Sequence, residues 1–242
     1  MVFKKVFLRA NKNCIYENMM ETLGTPIDYI LETEKYINMY KDGSRWININ
    51  DHDIFGYCRY AKFYEEMVKA VQDVPCVFVE VGSFLGQSTA ILSYLIDKYK
   101  KPIVIDCVDI FELSEFSDGE HERYIGQLKG KFFETFLENM NKSKTMHNVR
   151  YIHKGTSVEI AKKYPDQSID LVYLDASHLK EHLLWDLNSW ISKVKKYGVV
   201  AGDDLDHKGV YEAIEEFFEK DENGDIKNSR GTNFGTWAIM KE

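Results

Sequence analysis

From about Val74 onward the chain alternates short β-branched runs with stretches whose apolar residues recur every three to four positions. Strands and helices taking turns in this way bury their apolar faces in few arrangements, chiefly a parallel sheet with helices on both sides. The strand runs are Cys76–Val81, Ile103–Asp109, Val149–His153, Ile169–Asp175 and Gly198–Gly202. Between them, Ile91, Leu92, Leu95 and Ile96 share a helical face, as do Ile125, Leu128, Phe132, Phe136 and Met140. Leu183, Leu187, Trp190, Ile191 and Val194 form another, and Val210, Ala213, Ile214, Phe217 and Phe218 the last. A polar, glycine-bearing stretch from Asp221 to Asn233 follows, with a turn expected over Arg230–Gly235. Thr236–Met240 then reads as a closing strand. The fold class expected is α/β, a three-layer sandwich around a mostly parallel seven-stranded sheet whose last strand runs antiparallel.

Residues 1–73 carry a different pattern, read as an N-terminal helical cap on a second unit, residues 74–242. Thr25-Pro26-Ile27-Asp28 has the form of a helix N-terminus with proline at its first position. Tyr57, Tyr60, Tyr64, Met67, Val68 and Val71 make a later apolar stripe, and no Gly/Ser/Pro linker separates cap from sheet. With 31 Lys and Arg against 39 Asp and Glu, the net charge of −8 lacks the basic footprint that phosphate backbones demand. Small molecules are therefore the expected partners, not nucleic acid. No run of about 18 apolar residues is present, which argues against a membrane span, and Met1–Asn13 lacks the make-up of a signal peptide. Cys14, Cys58, Cys76 and Cys107 show no C-x-x-C spacing, so a reducing, cytoplasmic setting is expected.

The first strand runs into Glu80-Val81-Gly82-Ser83-Phe84-Leu85-Gly86-Gln87-Ser88, an acid at the strand end, two glycines four apart, and a helix starting near Ser88. Glycines in such a turn let a ligand approach the backbone, while the helix N-terminus offers unpaired N–H groups. The spacing is neither G-x-G-x-x-G nor G-x-x-x-x-G-K-[ST], so dinucleotide and triphosphate both lose ground. Asp109 ends the second strand, where a carboxylate accepts both hydroxyls of a ribose. Acid, one residue, glycine, three residues, glycine resembles the first motif of class I S-adenosylmethionine-dependent methyltransferases, a Rossmann-like fold. The resemblance implies that Glu80, Gly82, Ser83 and Gly86 hold the methionine end of S-adenosylmethionine and Asp109 its ribose. Gly155-Thr156-Ser157 would then lie by the adenine, although a hydroxyl opening a helix, as at Ser157, also serves simply as a cap.

The fourth strand leads into Asp175-Ala176-Ser177-His178 and the fifth into Gly202-Asp203-Asp204. Parallel strands all point one way, so Glu80, Asp109, Asp175, Asp203 and Asp204 emerge at the carboxyl edge of the sheet, where such folds bind ligands. Carboxylates crowded there require a proton or a cation among them. Oxygen donors alone suit Mg²⁺ or Mn²⁺, so Asp175, Asp203 and Asp204 are the candidate metal ligands. This set is similar to that of metal-dependent O-methyltransferases, the catechol type included. Over about Val77 to Phe218 it resembles still more a bacterial branch related to macrocin- and cephalosporin-tailoring enzymes. Leu179-Lys180 departs from that branch, in which an aromatic follows.

His178 stands three residues after Asp175, the offset at which the catechol type carries a lysine base, and a neutral imidazole could take a hydroxyl proton at neutral pH. Asp175 and His178 are thus the expected catalytic residues. His182, one helical turn on, offers a weaker pairing with His178. Phe111–Gly126 reads as a polar loop at the same edge, and Trp46, Phe55 and Tyr57 as cap aromatics serving either core or pocket. The resemblance implies methyl transfer from S-adenosylmethionine to the hydroxyl of a small molecule, with Mg²⁺ or Mn²⁺ assisting, and allows a homo-oligomer built through the cap. The competing readings are a nucleotide-dependent oxidoreductase or sugar-modifying enzyme on the same sheet, and a non-catalytic cofactor-binding protein.

Overall fold

A computed structural model describes residues 46–112, 119–220, 222, 226, 229–231 and 235–242. The Thr25–Asp28 helix start lies outside them. The first described element is a hairpin, β1 (Trp46–Ile49) and β2 (His52–Phe55), turned by Asn50 and Asp51 at positive φ. The expected helical cap therefore does not hold over residues 46–55. Trp46-Ile47-Asn48-Ile49 and Asp53-Ile54-Phe55 put β-branched and aromatic residues around two short polar ones that tolerate the left-handed turn. Helix α1 (Ala61–Ala70) follows, one turn later than the tyrosine stripe suggested, so Tyr57 and Tyr60 precede it.

The remaining elements are β3 (Cys76–Val81), α2 (Gln87–Tyr99), β4 (Ile103–Asp109), α3 (Gly119–Leu128), α4 (Phe132–Lys142), β5 (Val149–Lys154), α5 (Ser157–Ala161), β6 (Ile169–Leu174), α6 (Lys180–Trp190), β7 (Val194–Gly202), α7 (Lys208–Phe217), β8 (Ser229–Gly231) and β9 (Trp237–Met240). The sheet runs β5-β4-β3-β6-β7-β9-β8. Neighbours from β5 to β7 pair in parallel, and β9 runs antiparallel to both β7 and β8. Six strands of four residues or more form its body, and the seventh, β8, is a three-residue edge. The turn expected over Arg230–Gly235 thus gives its first two residues to β8. The loop expected over Phe111–Gly126 is helical from Gly119 onward, its 113–118 portion lying outside the described residues. The single face read across Ile125–Met140 is split between α3 and α4, broken at Lys129 and Gly130, both at positive φ.

Each face of the sheet carries its own core. One side packs Phe78, Ile105, Cys107, Leu171 and Tyr173 against α1, α2, α4 and the hairpin. The other packs Val79, Val108, Val172 and Val200 against α5, α6 and α7. Strands buried on both faces read as continuous apolar runs, which is why Ile169–Leu174 shows almost no polar alternation. Trp190 is fully buried, and its indole N–H donates to Ser157 Oγ at 2.8 Å. Burying such a ring contributes roughly 2–3 kcal/mol, provided its N–H finds a partner.

Candidate active site

The strand order reverses between β3 and β6, and the crevice at their carboxyl ends is where an open α/β sheet takes its ligands. The glycine loop enters this crevice from β3. Gly82 has φ of 99°, and a Cβ placed on it would stand 2.2 Å from the carbonyl oxygen of Asp175. Glycine is required here because the chain leaving β6 presses on the loop, whatever a ligand does. Asp175 N–H donates to Val81 O at 2.8 Å, locking the two backbones together. Gly86, at φ of 87°, caps α2 and abuts Phe136 and Met140.

Glu80 is 1% exposed, and its carboxylate accepts from Tyr64 Oη at 2.8 Å and from Thr89 Oγ1. Burial raises its pKa while these hydroxyls oppose the rise. Ser83, also buried, lies within reach of the Glu80 carbonyl at 3.4 Å. Asp109 accepts the backbone N–H of Phe84 at 2.8 Å and of Phe111 at 2.6 Å. Phe84 adopts φ of 46°, an unfavourable value for a bulky residue, and its bond to Asp109 helps hold it there. Burial raises the Asp109 pKa against these two amides. A carboxylate has about four lone-pair sites, so two amides leave room for two hydroxyls. Thr156 caps α5, and Ser157, the first residue inside, is engaged by Trp190.

Across the crevice, Asp175, Asp203 and Asp204 do come together, joined by two residues that lie far away in the sequence. Tyr60 Oη donates to Asp175 Oδ2 at 2.9 Å, and the Arg59 guanidinium bonds Asp204 Oδ1 while its Nε lies 3.8 Å from Asp203 Oδ2. His178 Nε2 meets Asp204 Oδ2 at 2.7 Å. One donor atom each from Asp175, His178 and Asp204 lie within 4.8 Å of one another, a grouping compatible with a metal ion. Asp203 sits deeper, its side chain 4% exposed and its Oδ1 without a hydrogen-bond partner.

The electrostatics follow from this crowding. Burial, then Asp203 and Asp204, drive the Asp175 pKa well above the carboxylate range. Burial and the Asp204 charge push Asp203 up to about 6. Burial would raise Asp204 as well, but His178 and Arg59 hold it below its ordinary value. The bond to Asp204 raises His178 in turn. His182 turns elsewhere, its Nδ1 on Ser177 Oγ at 3.0 Å and its ring stacked on Trp185. Trp46 packs edge to face on both Phe55 and Tyr124, and the rings of Phe55 and Tyr124 meet at a tilt.

The sequence pattern described as "Methyltransferase domain" matches residues 79–205, more than half of the chain. The chain belongs to that family. Every acid described above lies within the matched stretch, whereas Arg59 and Tyr60 precede it. No curated protein sequence matches this methyltransferase. Among solved structures, the O-methyltransferase NovP is 15% identical, with 75% of this chain and 78% of that one covered and a TM-score of 0.54. A Klebsiella pneumoniae protein provisionally assigned as an O-methyltransferase is 14% identical, covering 93% and 94%, with a TM-score of 0.50. The O-methyltransferase TomG from Streptomyces achromogenes, solved in complex with S-adenosylmethionine, is 16% identical over 78% and 83%, with a TM-score of 0.48. Family and fold together make this a class I S-adenosylmethionine-dependent methyltransferase.

Arg59 and Tyr60 escaped the sequence reading. Tyr60 falls within an apolar stripe, and Arg59 stands 145 positions from Asp204. Their one signal was the charge argument itself, since acids at one rim require a cation.

Proposed function

We propose that this methyltransferase moves a methyl group from S-adenosylmethionine to the hydroxyl of a small molecule, assisted by Mg²⁺ or Mn²⁺. The observation that carries the reading is the Asp204–His178 pair beside Asp175, at the edge where the glycine loop ends. An imidazole whose Nε2–H is held by a carboxylate presents Nδ1 as a base, the same division of labour that carboxylate–histidine pairs use in acyl transfer.

The residues fit both bound groups. Asp109 would take the ribose hydroxyls on its remaining lone pairs, and Ser83 and Gly86 would line the methionine end, beside an α2 whose first turn carries no acid and no side-chain cap. Glu80 acts through the loop it anchors. What S-adenosylmethionine supplies is an electrophilic methyl on a sulfonium, and its transfer leaves S-adenosylhomocysteine and one proton to be taken up. Asp175 and Asp204 would hold the divalent ion, with the deeper Asp203 adding negative charge beneath them, and the ion's chemistry is to acidify a hydroxyl and orient it.

The chain's own part is then definable. His178 Nδ1 receives the hydroxyl proton, and Asp204 stabilises the imidazolium that forms. Tyr60 keeps one oxygen of Asp175 turned to the protein. The locked backbones of Gly82 and Asp175 fix donor and acceptor at a constant separation, and orientation of this kind supplies much of the acceleration in a two-substrate reaction. The stretch from 46 to 73 brings Arg59 and Tyr60 to this edge of the sheet.

The test is methyl transfer from labelled S-adenosylmethionine to a panel of sugars, phenols and hydroxylated natural products, with and without EDTA. Turnover that needs a divalent ion and leaves an O-methyl ether is the expected result. Turnover unaffected by chelation would remove the ion, and N-methyl products or methylated RNA alone would remove the acceptor. Calorimetry with NAD and S-adenosylhomocysteine separates the oxidoreductase reading, which requires the former to bind.

A further inference from the structure

Both oxygens of Asp204 are already occupied, one by Arg59 and the other by His178. Asp175 gives one oxygen to Tyr60. A divalent ion seated among these carboxylates must therefore displace something positive or share an oxygen with it. The three neighbours differ in how easily they can leave. Tyr60 is 3% exposed and packed 4.3 Å from the ring of Tyr173, so it has nowhere to go. The side chain of His178 is 43% exposed, but it is short and lies beside the ring of His207, 5.2 Å between centroids. Arg59 has a side chain 52% exposed, with water into which a long stem can swing. A second and independent sign of an incomplete site lies below it, since Asp203 Oδ1 is buried without a partner.

We propose that the guanidinium of Arg59 is the resident counter-ion of the acid cluster, and that a divalent ion binds by displacing it. The inference rests on the metal-assisted reading above and adds to it the residue that sets the affinity. Arg59 stabilises the ion-free protein by neutralising Asp204 and part of Asp203. The same charge opposes ion entry, because a guanidinium and a divalent cation repel across the carboxylate they would share. Since Arg59 is the residue before Tyr60, and both lead into α1, ion occupancy is felt in the cap as well as on the sheet.

The measurement is Mn²⁺ binding by calorimetry and by the loss of free-ion paramagnetic signal, without donor or acceptor, for the wild type, Arg59→Lys and Arg59→Gln. Arg59→Gln is expected to bind Mn²⁺ about tenfold more tightly, with Arg59→Lys between the two. Phenylglyoxal labelling of the wild type, followed by mass spectrometry, is expected to modify Arg59 faster once Mn²⁺ is present. This readout needs no variant to fold. Equal or weaker Mn²⁺ affinity in Arg59→Gln, or labelling unchanged by the ion, overturns the displacement and leaves the metal reading standing. Absence of Mn²⁺ binding in all three proteins overturns both.

Discussion

Two groups of carboxylates stand at the same sheet edge, and the chain treats them differently. In one group, Glu80 and Asp109 are raised by burial, and each is answered by hydrogen-bond donors fixed in the protein, hydroxyls for one and backbone amides for the other. In the other group, Asp203 and Asp204 raise Asp175, Asp204 raises Asp203, and the partners are a half-exposed arginine, a histidine and a tyrosine. The first pair has its protein donors in place before any ligand arrives. The second is held in a state that an added positive charge improves. A buried group answered by neutral donors rigidifies a site, whereas like charges kept close store free energy that binding can release.

The sharpest way to break this contrast is at His178. His178→Ala is expected to lower turnover by about 10²–10⁴-fold, the usual contribution of a general base, while Mn²⁺ affinity persists. If Mn²⁺ binding is lost as well, His178 belongs to the ion's ligands and the base must be sought elsewhere. The next effect joins the two sides. Gly82→Ala places a Cβ against the Asp175 carbonyl at a positive φ, and thermal unfolding should report a loss of at least about 2 kcal/mol. A variant as stable as the wild type would show that the loop and the end of β6 are not locked.

A smaller effect has the opposite sign. Asp203 holds its proton up to about pH 6 when folded, against an ordinary carboxyl value of 3.8. Between these values the folded state binds more protons than the unfolded one, so stability falls as pH rises through the window and stays reduced above it. Asp203→Asn removes that deficit. Without divalent ions it should be the more stable protein at pH 7, by about 1–2 kcal/mol once coupling to Asp204 is allowed for. A lower melting temperature for Asp203→Asn under those conditions would mean the cluster carries no stored repulsion. The least effect is a titration. Asp204 raises the His178 pKa, so turnover should increase with pH through a midpoint above that of free imidazole. Asp204→Asn, assayed at saturating ion, should draw that midpoint down by up to about one pH unit, and an unmoved midpoint separates the histidine from the rate.

The architecture was legible because its strands are buried on both faces, and runs such as Ile169–Leu174 cannot be mistaken for surface. Parallel strands also place their ends together, so the gathering of Asp109, Asp175, Asp203 and Asp204 followed from topology with no knowledge of side-chain geometry. What the residues did not disclose was local or distant. The hairpin at Trp46–Phe55 is two four-residue strands, too short for a period to show. Gly82 looked like a concession to a ligand and is a concession to the backbone of Asp175. Tyr60 reaches an acid 115 positions away, and no spacing rule connects the two.

That main-chain lock at Gly82 has a consequence for how such an enzyme can diversify. Because the lock is made by peptide groups of β3 and of the chain leaving β6, it does not depend on which side chains decorate the crevice. Loops outside this lock can change in sequence without shifting β3 against β6.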